Sequence, residues 1–156
     1  MVIISACLLG IKCRYDGESC FDKELLSLIP DAIFIPLCPE QLGGFSTPRF
    51  PAQINNGSGP DVLNGHARII NSRGDDVTEY FLKGAKEVKK IAQLMKISTA
   101  ILKENSPSCG VNYIKRDDVL INGMGVTSAL LHSVGIKLIS SEKVTEDYVR
   151  YYHNRK

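Results

Sequence analysis

A chain of 156 residues, 44% apolar and 23% charged, has the size and composition of one ordinary soluble domain whose core needs no staples. A net charge of +2 is too small to argue for a nucleic acid or a membrane surface as partner, and no apolar stretch approaches the roughly 20 residues of a membrane span. The apolar start, 1-MVIISACLLGIKCRYDG-17, has no basic leader and no clear cleavage site, so it is expected to be a first core strand of a cytoplasmic protein and not a signal peptide.

In chain order, 2-VIIS-5 is expected to form a buried strand, followed by a loop containing Gly10, Asp16 and Gly17. The stretch 22-DKELLSLI-29 places an Asp at a helix start and ends at Pro30. The run 32-AIFIPL-37 is too short for a core helix and is expected to be a second strand. From 38 to 65 the chain is dense in Pro, Gly, Asn and Ser, with no helical or alternating period. A loop of this length in a compact domain is usually functional, and this one offers Arg49, Phe50 and Gln53 to a ligand. A strand is expected at 67-ARII-70. The best helix is 76–96, with a helical apolar stripe, a capping box of Asp76 and Glu79, and a solvated lysine face. Strands at 99-TAIL-102 and 119-VLI-121, a helix from Gly123 to Val134 stopped by Gly135, a strand at 136-IKLIS-140 and a helical tail from Thr145 complete the pattern. Strands alternating with helices indicate one α/β domain over 1–156: a three-layer α/β/α (Rossmann-like) unit with a mostly parallel sheet, the 38–65 loop lying over its active site.

Of the five cysteines, Cys7, Cys38 and Cys109 share one address, just past the C-terminal end of an expected strand. If those strands are parallel neighbours, the three thiols converge at the sheet edge where ligands of open α/β sheets bind. No C-x-x-C pair exists, and an odd count without a signal peptide argues against a disulfide framework. Soft thiolates suit zinc or iron–sulfur chemistry, and three of them leave one coordination position open. His66, His132 and His153 stand at no comparable strand end. Cys13 and Cys20 are expected to be inert apolar filler, although Cys13 shares a loop with Cys7. Glu40, two residues after Cys38, is a candidate acid/base group.

Several segments, in order and over nearly the whole chain, resemble the 2-thiouracil desulfurase (desulfidase) family: 5-SACLLGIKCRYDG-17, 37-LCPEQLGGFSTPR-49, 75-DDVTEYFLKGA-85, 102-LKENSPSCG-110 and 123-GMGVTSALL-131. The resemblance implies a [4Fe-4S] cluster held by Cys7, Cys38 and Cys109 with one iron free, and a non-redox removal of sulfur from a small thiolated pyrimidine or related heterocycle. It implies Glu40 and Ser106 as catalytic groups, with Ser5, Arg49, Lys103 and Ser108 as expected substrate contacts, and it gives Cys13 no fixed role. Three other readings compete. One is a dinucleotide-binding domain, on the G-x-G-x-x-S of 123-GMGVTS-128. Another is an iron–sulfur carrier or redox-sensing module without catalysis. The third is a zinc protein of the same geometry.

Overall fold

The computed structural model describes residues 1–144; the helix expected from Thr145 lies outside the described residues. Four short strands form a parallel sheet in the order β2-β1-β5-β8: β1 (Val2–Ser5), β2 (Phe34–Leu37), β5 (Thr99–Leu102) and β8 (Lys137–Ser140). Every residue of β1 and β5 is buried, which is why both read as unbroken apolar runs. Alternate side chains serve opposite faces. Val2, Ile4, Ile101 and Ile139 join Leu25 and Ile29, in and just beyond α1 (Lys23–Ser27). Ile3, Ala100 and Leu102 pack against Val88 and Ala92 of α4 (Thr78–Leu94) and Leu131 of α5 (Val126–Ser133). The sheet therefore has helices on both faces, as the alternation of strands and helices implied.

The segment 38–65 departs from the expected structureless loop. It contains α2 (Pro39–Leu42), β3 (Ala52–Ile54) and α3 (Gly59–Leu63), and β3 pairs antiparallel with β4 (Ile69–Asn71). None of these is long enough for a period to show. The capping box also sits elsewhere. Ser58 and Asp61 form one at the start of α3, whereas Asp76 accepts from the Thr78 amide and hydroxyl and pairs with Arg68, so α4 begins two residues later than expected. A second hairpin, β6 (Tyr113–Arg116) with β7 (Val119–Asn122), turns at Asp117 and Asp118, both at positive φ. The hairpins, α3 and the near ends of α4 and α5 share a third apolar cluster that includes Ile54, Ile69, Phe81 and Ile114.

The sheet order makes a topological switch. From β1 the chain moves out to β2, then crosses back to place β5 on the other side of β1. Ligands in open α/β sheets bind at the carboxyl ends of strands flanking such a switch. The backbone of α2, which begins immediately after Cys38, lies directly on α4. A Cβ at Gly84 would fall 1.9 Å from the Pro39 carbonyl oxygen, and one at Gly43 would fall 2.1 Å from that of Tyr80. Gly84→Ala must therefore push α2 off α4. The expected result is a loss of about 1–3 kcal/mol in a denaturant melt, the range for overpacking a filled interface.

Candidate active site

The loops after β1, β2 and β5 enclose a cavity of about 440 Å³, within the usual range for small-molecule sites. Cys7, Cys38 and Cys109 all line it. Cys7 sits in a 3-10 turn over Ala6–Leu9 that closes at Gly10, where φ is +86° and the Phe21 ring packs 3.4 Å from where a Cβ would stand. Cys38 is the residue between β2 and α2, and Pro39 opens the helix with its fixed φ.

Cys109 is held by the most elaborate of the three loops. The Ser106 hydroxyl oxygen accepts from the Ser108 and Cys109 amides, both at 3.1 Å. Behind it, the buried carboxylate of Glu104 takes the Val111, Asn112 and Tyr113 amides on Oε1 at 2.8, 2.9 and 2.9 Å, and the Asn112 side-chain amide on Oε2. Burial pushes the Glu104 carboxyl up. Hydrogen bonds from Ser140 and from these amides outweigh burial and hold it below the ordinary glutamate value.

The glycines of 123-GMGVTS-128 serve this loop. A Cβ at Gly125 would lie 2.5 Å from the Ser108 carbonyl carbon. The amides of Val126, Thr127 and Ser128 donate to the Pro107 and Ser108 carbonyls, and the Ser128 hydroxyl donates to the Cys109 carbonyl. The first turn of α5 starts at residue 126, not at Gly123, and those three amides are already bonded to the loop instead of being left for a dinucleotide phosphate.

Cys13 and Cys20, expected to be filler, also line the cavity. The Cys38 thiol donates to the Cys13 carbonyl at 3.7 Å, and the Cys20 amide donates to the Cys7 carbonyl at 3.0 Å. Hydrogen bonds from Cys38 and Cys7, with help from the Arg49 charge, push the Cys13 thiol down. A hydrogen bond from Cys7, aided by Arg14, lowers Cys20. Cys7 and Cys38 move up, as the thiols bonded to Cys13 and by burial. Burial pushes Cys109 up to about 11, against hydrogen bonds from the Ser108 and Ser5 hydroxyls. Among the described residues, no three His, Cys, Asp or Glu side chains gather around one point as ligands of a single metal ion. The thiols line the walls of a cavity instead of forming the closed tetrahedron of a structural zinc.

The other expected site residues fall as follows. Glu40, Ser106 and Lys103 line the cavity, with the Lys103 ammonium 3.4 Å from the Glu104 carbonyl. Ser5 and Ser108 line it too but are only 3% and 2% exposed. Ser108 donates to the Cys109 sulfur at 3.5 Å, and the Ser5 hydroxyl oxygen accepts the Lys103 amide at 2.9 Å. Both therefore serve the cysteine loop directly. Arg49 turns inward to Glu40 and to the Cys13 carbonyl. Glu104 went unread although it stands inside 102-LKENSPSCG-110. Its signal is an acid two residues past a fully buried strand, where a carboxylate must find several donors.

The chain belongs to the 2-thiouracil desulfurase family, whose match spans residues 2–143. It is 44% identical over 149 residues to the uncharacterized protein YbbK of Bacillus subtilis (strain 168), covering 94% of this chain and 99% of that one. Among solved structures it is similar to the [4Fe-4S]-dependent thiouracil desulfidase TudS, with a TM-score of 0.81 and 33% identity over 99% of this chain and 98% of that one.

Proposed function

We propose that this protein removes sulfur from a small thiolated pyrimidine, or a related thio-heterocycle, in a reaction dependent on a [4Fe-4S] cluster held by Cys7, Cys38 and Cys109. The carrying observation is the convergence of those three thiols, from three separate strand ends, on one cavity that also holds Glu40. The donor set fits such a group. It is all sulfur, three thiols lining one cavity, and soft thiolates are the ligands that iron–sulfur clusters take. Cys7, Cys38 and Cys109 are each held in the protonated form, so binding of a cation there must displace protons. When bound, the cluster supplies a soft Lewis-acidic iron that suits a sulfur atom of the substrate.

The remaining chemistry belongs to the chain. Water replaces sulfur at the ring carbon, C=S and H₂O giving C=O and H₂S, with no net electron transfer. The Glu40 carboxylate takes a proton from the attacking water and returns it to the departing sulfur. The Ser106 hydroxyl, tied to two amides, shapes the turn that presents Cys109. Phe45, Phe50 and Gln53 also line the cavity, and their side chains select the ring that fits. A reducing cytoplasm suits five free thiols. Among the described residues no helix is long and apolar enough to cross a membrane.

The test is anaerobic reconstitution, with iron and sulfide counted per chain, followed by incubation with 2-thiouracil. Sulfide release with turnover is the expected result. A protein that holds a cluster yet frees no sulfide from any thiolated base is a carrier or sensor, and a colourless protein rich in zinc sinks the cluster assignment.

A further inference from the structure

We propose that Arg49 is a positioning residue for Glu40 and makes no contact with the substrate. This rests on the reading of Glu40 as the acid/base group. Arg49 lines the cavity, yet its side chain is only 6% exposed, and that of Glu40 is 15% exposed. A guanidinium has five N–H donors in a fixed plane, and here four hydrogen bonds and a close ion-pair contact tie it to the protein. Nε donates to Glu40 Oε2 at 2.7 Å, and one terminal nitrogen contacts the same Oε2 and donates to the Cys13 carbonyl at 2.9 Å. The other terminal nitrogen donates to the Ser46 carbonyl at 3.3 Å and to the Thr47 hydroxyl at 3.2 Å. The Arg49 backbone amide adds a bond to the Tyr15 carbonyl at 2.8 Å. These contacts, in a side chain this buried, commit the guanidinium to the protein and not to a heterocycle.

The same inventory shows what the residue does. Arg49 ties the start of α2, the 46–49 turn and the Cys13 loop into one unit, so the carboxylate is fixed relative to the thiols. Both contacts fall on Oε2, and among the described residues Oε1 takes no hydrogen bond. The free oxygen is the one available to a water molecule or a departing sulfur, and the carboxylate cannot rotate without breaking a buried ion pair. Lysine keeps the charge at this position but not the fork, and a misplacement of about 1 Å in a reacting group can cost about 10²-fold in rate.

A double-mutant cycle tests the assignment, because a residue that acts only through Glu40 has nothing to contribute once Glu40 is disabled. Wild type, Arg49→Lys, Glu40→Gln and the double variant are reconstituted anaerobically, and cluster content, kcat and KM for 2-thiouracil are measured. The expected result is full cluster content in all four. Arg49→Lys lowers kcat by about 10²-fold with KM within about twofold, and the same change made in the Glu40→Gln background alters kcat by less than about twofold. A raised KM with kcat intact, or an equal loss in both backgrounds, overturns the proposal in favour of direct substrate contact. Loss of the cluster in Arg49→Lys alone overturns it in favour of support for the Cys13 loop. Arg49→Gln is carried in parallel with thermal melts, and failure of both variants to fold assigns Arg49 a structural role only. If wild type itself frees no sulfide, the functional reading falls and this one with it, an outcome distinct from every other because only then is the unsubstituted protein inactive.

Discussion

Serine in place of Cys7, Cys38 or Cys109 is expected to abolish cluster uptake, each substitution alone being sufficient, while Cys20→Ser is expected to retain the cluster. The reason lies in the donor atom. A serine hydroxyl is hard and ionises far less readily than a thiol, so it is a poor substitute for a thiolate on iron. The three positions also cannot substitute for one another, because each hangs from a different strand end and the sheet register fixes their spacing. Visible absorption, with iron and sulfide counted after anaerobic reconstitution, checks the result. Normal cluster content in any one of the three variants would sink the ligand assignment.

Removal of the Glu104 carboxylate is expected to have the largest effect on stability. Glu104→Ala strands three amides that now share Oε1, in a residue only 2% exposed. Each orphaned buried donor costs about 1–3 kcal/mol, so the sum is a large part of the roughly 5–15 kcal/mol that holds a domain together. Glu104→Gln keeps an acceptor for those amides and is expected to be milder. Acid reports the same group. The folded carboxyl titrates below its ordinary value of 4.5, so its stabilisation is complete above that value and is lost as the pH falls through the lower folded value. Thermal melts below pH 4.5 should therefore fall more steeply for wild type than for Glu104→Gln. Parallel slopes would remove Glu104 from the acid response.

The sheet was legible because its central strands are buried on both faces and read as apolar runs. Once those strands were placed, the shared position of Cys7, Cys38 and Cys109 followed from counting residues past their ends. What was not legible is short or cooperative. Helices of four and five residues, α2 and α3, leave no period, so 38–65 looked like an unbroken loop although it holds three elements. Asp76 has the chemistry of a helix cap but finds Arg68 and Thr78 instead, a competition that only the fold can decide. Cys13 and Cys20 depend on how the 7–20 loop folds back, with the Cys20 amide on the Cys7 carbonyl at 3.0 Å, and nothing in their spacing announces it. Arg49 has the residue type of an anion binder, but its five donors can be assigned only once its neighbours are known.

The chain order of the switch has a bearing on biogenesis. On the proposed ligand set, the first two thiols emerge within the first 38 residues and the third only at 109, and the sheet does not bring them together until β5 is laid beside β1. Iron and sulfide delivered to a nascent chain would meet an incomplete set of donors. On that ligand set, loading would be a late step that follows the pairing of β5 with β1, and a bound cluster would record that β1, β2 and β5 have paired in register.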